Sequence, residues 1–337
     1  MKYLVWIFIV VSLLASCGEK KTPDVSGIKV NLELQRFDQD FFAIDTNNID
    51  KSLQALHEKY PVFLQDFLFN ILALPPQPDS IKVLQRQIRL FKQSYTSLHD
   101  SADKVFADMT EVHQEVTRGL QFVKYYFPDY KLPAKLNTFI GPIDSYGNII
   151  TTDALCVGLQ LYMGSDYSLY KNAGVLEQYP AYISRRFDKK YIALNCIKTV
   201  VDDLFPDNTV GRPLIEQMVQ SGKRLYLLDH LLPETADTVK TGYTKKQLDG
   251  CRANESTIWS YFVQNDLLFS TDPSLTRDYM NEAPKTEAFG QDSPGLIGQF
   301  VGWQIVKKWM NKNGSTTVAE MMKTKAKTIF DGTKYKP

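Results

Sequence analysis

The chain has 337 residues, 44% of them hydrophobic and 23% charged, with 39 Lys and Arg against 38 Asp and Glu. That composition suits a folded protein with a large core and excludes a disordered one. With neither a basic excess nor a basic stripe to hold phosphates, nucleic acid is not an expected partner.

The chain begins MKYLVWIFIVVSLLASC. Lys2 supplies a positive charge and Tyr3 to Leu14 an apolar run. The run is short for a membrane span of about 20 residues and fits a secretory signal. It ends in Leu14-Ala15-Ser16-Cys17, which matches the bacterial lipobox. The match implies that residues 1–16 are removed and that Cys17 is acylated on its sulfur and its amino group. Each buried CH₂ contributes about 0.8 kcal/mol, so several acyl chains on one residue anchor a protein durably to a bilayer. Residues 17–27 then read as the lipidated cysteine and a short flexible tether. Cys156, Cys196 and Cys251 remain. An odd number allows at most one disulfide among them, and their apolar flanks suit buried thiols.

Residues 28–337 read as one domain, with a helical part at 49–127 and a mixed α/β part at 128–337. Val30, Leu32 and Leu34 alternate as a strand, followed by Phe37, Phe41 and Phe42. A helix is predicted from Ile49 to Leu72, stopped by Pro75-Pro76-Gln77-Pro78. From Ile81 to Val116, apolar or small residues recur every three or four positions for five heptads. This predicts a long helical arm with one break near His99-Asp100-Ser101. Its seam is expected to close on the adjacent 49–72 helix, the other reading being a coiled coil with a partner. His57, His99 and His113 have no second His at i+3 or i+4. His57-Glu58-Lys59-Tyr60 begins like HExxH, but Pro61 stands in the second histidine position.

Further on, Thr138 to Ile143 and Asn148 to Thr152 are β-rich, with Ser145-Tyr146-Gly147 as a turn between them. The run Ala154 to Leu161 completes a small sheet. Tyr191 to Leu232 then reads as two central helices separated by Pro206-Asp207-Asn208. Leu194, Ile197, Val201 and Leu204 share one face of the first, and Leu214, Met218, Leu225 and Leu228 one face of the second.

In zincin peptidases such a pair carries two His at i and i+4 and a catalytic Glu on the first helix, and a third ligand on the second. Here one pair of positions that could match is Asn195 and Thr199, at i and i+4, neither a good zinc ligand. Asp202 and Asp203 point about 100° apart and are expected to be solvated or paired with Lys or Arg. Gln220-Ser221-Gly222 stands where active members of that architecture carry an acidic residue before Gly. Glu216 and His230 lie about 21 Å apart along a continuous helix and cannot share an ion. No GxSxG marks a serine nucleophile. The expected fold class is α+β, predominantly α-helical, a degenerate zincin-like layout with a small sheet and a long arm. No catalytic, cofactor or metal residue is assigned. A zinc-dependent hydrolase with ligands outside these patterns is the alternative.

Thr244 caps a helix predicted to run through Glu255, Trp259 and Phe262, followed by a polar loop over 270–293. Gly295, Gly298 and Gly302 lie near one helical face and suit close packing against another element. The tail is a short helix from Thr316 ending in a basic segment, Lys323 to Lys336, which reads as solvated, the alternative being contact with anionic lipid.

Several stretches together resemble one family. They are the lipobox at Cys17, FDQDFFAID, YPVFLQDFLFNIL, NTFIGPID, ALCVGLQLYMGSDY, QMVQSGKRLYLLD, the tract Asn254 to Trp259, and PGLIGQFVGWQIV. With these the chain resembles the gliding motility lipoprotein GldB family of Bacteroidetes from the signal to about residue 312. The resemblance implies a membrane-anchored motility component working with other gliding or type IX secretion proteins, and it implies no catalytic residue. Surface-bound lipoproteins of that phylum often carry acidic residues after the cysteine. The mixed run Gly18-Glu19-Lys20-Lys21 favours a periplasm-facing attachment in the cell envelope instead, to either membrane.

Overall fold

A computed structural model describes residues 22–75 and 81–337. The signal, Cys17, most of the tether and the 76–80 stretch lie outside the described residues. The chain folds as α+β, mostly helical, around one small mixed sheet. Its strands are β1 (Glu33–Gln35), β2 (Lys135–Phe139), β3 (Asn148–Ile150) and β4 (Ala154–Gly158), in the order β1-β2-β4-β3. Of the alternating residues expected to start this sheet, only Leu34 falls within β1.

β1 runs parallel to β2, and β2 parallel to β4, with Leu136 opposite Leu155 and Asn137 opposite Cys156. β3 pairs antiparallel with β4. The hairpin expected across Ser145-Tyr146-Gly147 is therefore not formed. The tight turn lies at 151–153, where the Ala154 amide donates to Thr151 Oγ1 at 3.1 Å. All five residues of β4 are buried, whereas β3 is half-buried. A strand apolar on both faces takes the centre, and the half-exposed one takes the edge.

The sheet separates two cores. Phe139, Ala154 and Cys156 face a phenylalanine-rich cluster with Phe37, Phe41, Phe63 and Phe67. Leu136, Leu155 and Val157, one residue out of phase, face the larger core of the central helices. The period-two alternation of strand side chains makes this division.

The helix expected over Ile49–Leu72 is interrupted. It runs Ile49–Lys59, restarts at Phe63–Asp66 and ends in a π-helical turn, Phe67–Ile71. Pro61 lacks an amide hydrogen and disfavours helical geometry at the residue before it, and Tyr60 indeed sits at φ −128°, ψ 59°. The arm also differs from expectation. One helix, Ile81–Val105, passes unbroken through His99-Asp100-Ser101, and the break comes at 106–109. There Asp108 accepts the Thr110 amide at 2.8 Å and starts the next helix, Thr110–Tyr126. The seam closes internally, as expected, but chiefly on the Phe37–Phe42 helix. Phe91 reaches Phe41 and Phe67, with ring centroids 6.0 and 6.1 Å apart.

The two central helices form as predicted, Ile192–Leu204 and Leu214–Leu231. Leu194, Ile197, Val201, Leu214, Met218, Leu225 and Leu228 are all buried. The second packs along most of helix Ile297–Lys312, with Gly222 against the backbone of Gly302. Gly302 in turn lies on the carbonyl of Met218, and Gly298 lies on Met218 and Met280. The small residues of the 295–302 stretch thus do serve close packing.

Thr244 forms a full capping box with Gln247, but its helix stops at Ala253 and a new one starts at Glu255. The stretch expected to be a polar loop contains a helix, Pro273–Met280. Asp272 caps it by accepting the Ser274 amide at 2.9 Å, with Pro273 in its first turn. In the tail, helix Ala326–Thr333 packs back onto both long helices through buried Ile329. No described helix is long and apolar enough to cross a membrane.

Candidate functional site

The first central helix and the edge strand β3 together wall a cavity of about 290 Å³. Its polar floor is a chain of side chains brought from three elements. Asn195 Nδ2 on the helix donates to the Tyr162 hydroxyl at 2.8 Å, and that hydroxyl donates to Asn148 Oδ1 on β3. Asn148 Nδ2 in turn lies 3.4 Å from Cys196 Sγ. Burial holds the Tyr162 phenol well above its ordinary value, so it stays a neutral donor.

Tyr162 is fixed from behind by the ALCVGLQLYMGSDY stretch. Buried Gln160 accepts the Gly141 amide at 3.1 Å and donates to the Tyr146 carbonyl at 3.1 Å, locking the loops between β2 and β3. Tyr170 donates to the Gln160 carbonyl at 2.6 Å and accepts the Met163 amide at 3.1 Å. The family-like stretch around 160 therefore supplies Leu161 and Tyr162 to the cavity, and the stretch around 140 braces it from behind through Gly141.

The rest of the lining carries charge. Arg186, Lys198 and Glu282 belong to it, with Arg186 Nη1 2.8 Å from Glu282 Oε1. Gly242, at φ 72°, leaves room for Arg186, since a Cβ there would lie 2.7 Å from Nη1. Lys198 is half-buried, and among the described residues its Nζ makes no hydrogen bond or ion pair. Burial, followed by the charge of Arg186, pushes its pKa down to about 8.

The residues weighed as ligands are not brought together. Thr199 turns back to donate to its own helix, at the Asn195 carbonyl 2.9 Å away, so Lys198 rather than Thr199 shares the cavity with Asn195. Asp202 pairs with Arg224, and Asp203 accepts from the Tyr130 hydroxyl at 2.7 Å. The second central helix contributes no residue to this cavity. Gln220 instead accepts from buried Lys223 at 3.0 Å, on a separate cleft that also contains Glu216. His230 sits in a third, larger hollow of about 720 Å³ with Tyr125, Tyr126 and Tyr226, and its Nδ1 lies 2.9 Å from the Tyr226 carbonyl. The Leu214–Leu231 helix is continuous, so Glu216 and His230 stay apart. Elsewhere, His113 bonds the Leu32 carbonyl at 2.7 Å and His99 stacks on Phe42.

Among the described residues, no three His, Cys, Asp or Glu side chains converge to hold a metal ion. Nor do the residues of the Asn195 cavity fit zinc, because an ammonium and a guanidinium repel a cation and only Glu282 offers a carboxylate. Cys156, Cys196 and Cys251 are buried and unpaired, and burial pushes the thiols of Cys196 and Cys251 up to about 12. Sequence reasoning missed Arg186, Lys198 and Glu282. Glu282 lies more than 80 positions beyond the other two, and no spacing rule links the three.

Searches of curated proteins and of solved structures return no match. The profile of the family described as gliding motility protein GldB matches residues 18–337, which takes in both cores, the sheet and the cavity. The chain belongs to the GldB gliding motility lipoprotein family.

Proposed function

We propose that this chain is a non-catalytic lipoprotein of the gliding machinery, anchored through acylated Cys17 and acting with other motility or type IX secretion proteins. The family match across residues 18–337 carries the reading. On this view residues 28–337 form one domain held on a short tether, facing the periplasm. Both parts of the chain supply both cores: Val112 and Val116 pack with the central helices, and Phe139 with the phenylalanine cluster. Thr22 and Pro23 line the tyrosine-rich hollow. An anchor at Cys17 would therefore hold that hollow within about 18 Å of the bilayer.

The layout is a zincin-like one that has lost its metal chemistry. Two features support this: the edge strand β3 packs on the first central helix, and the cavity beside them is lined by Lys198 and Arg186, cations that repel a metal ion.

Two experiments test the reading. In the native host, Cys17→Ala is expected to release the protein from the membrane fraction and to abolish gliding, as deletion does. Normal gliding in the deletion strain sinks the motility role. The purified full-length protein, exposed to zinc and dialysed exhaustively, is expected to retain no metal by elemental analysis. One zinc held per chain would overturn the non-catalytic reading and favour a metal-dependent hydrolase.

A further inference from the structure

We propose that the cavity beside Asn195 binds a single small carboxylate, which pairs with Lys198 under the guidance of Arg186. This goes beyond the motility role and does not depend on it.

Four observations carry it. First, Lys198 lines the cavity without a hydrogen-bonding or ionic partner among the described residues. Glu282 and Asp202 attract it only from beyond ion-pair distance, and a half-buried ammonium with no direct partner costs free energy that an anion in the cavity returns. Second, the neighbouring cation is held in place before any ligand arrives. Arg186 is fixed by Glu282 and by the space above Gly242, and Arg185 is tied to the Gly242 carbonyl at 2.7 Å. Groups already positioned lose little entropy on binding.

Third, the charge matches one negative unit. Lys198 and Arg186 against Glu282 leave a single positive charge, and Asp202, one turn further along the helix, is engaged by Arg224. A phosphate dianion would exceed that charge, whereas the single charge of a carboxylate matches it. Fourth, about 290 Å³ sits at the small end of ligand sites, and Ile183, Leu194 and Val239 give it an apolar side. A short aliphatic acid or the carboxyl end of a peptide has that shape. Carboxylate on the charged wall and methyl groups on the apolar one is the chemistry shared by both sources.

The test is calorimetric titration of the full-length protein in detergent with acetate, with N-acetyl-dialanine, with the C-terminal amide of that dipeptide, and with inorganic phosphate. N-acetyl-dialanine is expected to saturate one site and its amide to bind at least about tenfold more weakly. Lys198→Met should reduce binding of the acid by a similar factor, and Lys198→Arg should retain most of it. Acetate much weaker than the dipeptide identifies a peptide end as the ligand, and acetate of equal strength identifies a free acid; either supports the site.

The pH profile separates a binding role from a merely structural one. The groups facing Lys198 are Arg186, Glu282, Tyr191 and Tyr162, with Asp202 on its own helix. Both tyrosines are pushed upward by burial and stay neutral at these pH values. Affinity in the wild type should therefore fall above about pH 8, as Lys198 loses its proton, and stay level in Lys198→Arg. Equal binding of acid and amide would overturn the proposal. So would no saturable binding up to about 10 mM, or phosphate binding more tightly than either carboxylate.

Discussion

Replacing Gly302 by alanine is expected to destabilise the protein by more than about 3 kcal/mol, read as a fall in the urea midpoint of the full-length chain. The added Cβ would fall on the carbonyl oxygen of Met218, and the neighbouring Gly222 already lies against the Gly302 backbone. Neither obstacle is the end of a flexible side chain, so the two helices must separate. Separation would loosen a long interface, because Phe300, Trp303, Ile305 and Val306 are buried on the same helix. Gly250→Ala is the matched control. It lies in helix Lys245–Ala253 with open space where its Cβ would go. There alanine should raise stability by roughly 0.5–1 kcal/mol through helix propensity alone. Equal effects at the two positions would refute the close-packing account.

The second large effect is expected at Arg36. Its guanidinium grips Asp38 with two bonds, Nε to Oδ1 at 3.0 Å and Nη2 to Oδ2 at 2.7 Å. The Asp38 side chain is fully shielded from solvent and also accepts from Thr138 on β2. Arg36 further donates to the Phe106 carbonyl at 2.8 Å, so one residue ties β1, the Phe37–Phe42 helix and the end of the arm together. Arg36→Ala strands a buried carboxylate and should cost about 3–5 kcal/mol. Asp38→Asn in the same chain removes the stranded charge, so the double variant should be more stable than the sum of the two single losses. Strict additivity in chemical denaturation would mean that the pair is not coupled. Part of the FDQDFFAID stretch is thereby accounted for. Asp38 is a structural partner of Arg36, and Asp40 meets Lys59 at 2.5 Å and the Tyr60 hydroxyl.

Where local chemistry decides, the elements were legible. The two central helices follow from apolar residues spaced by three and four, and all but one of the positions named for them are buried. The Thr244 cap followed from its residue type. The breaks were harder to see. Pro61 both spoils HExxH and stops the helix, the second through its missing amide hydrogen, yet the apolar spacing around it reads as one continuous helix. Asp272-Pro273 is a helix start by the same kind of rule, hidden in a stretch that looked uniformly polar. The arm continues through His99-Asp100-Ser101 because His99 stacks on Phe42 and Ala102 is fully buried, which the residues themselves do not reveal.

Strand partners were the clearest failure of local reading. The turn-like Ser145-Tyr146-Gly147 predicts a hairpin, yet β4 comes between the two expected strands. Register and order depend on which face each strand must bury, and that is set by helices distant in sequence.

By itself the sequence determined the helical content, the central pair, the absence of an HExxH motif and, through its motifs, the family. All of these rest on neighbours within a few positions or on stretches compared one by one. Only the tertiary structure decided the order of the strands, the meeting of Gly222 with Gly302, and the cavity that joins Lys198 to Arg186 and Glu282. Those depend on side chains up to about a hundred positions apart, brought together by packing around two cores.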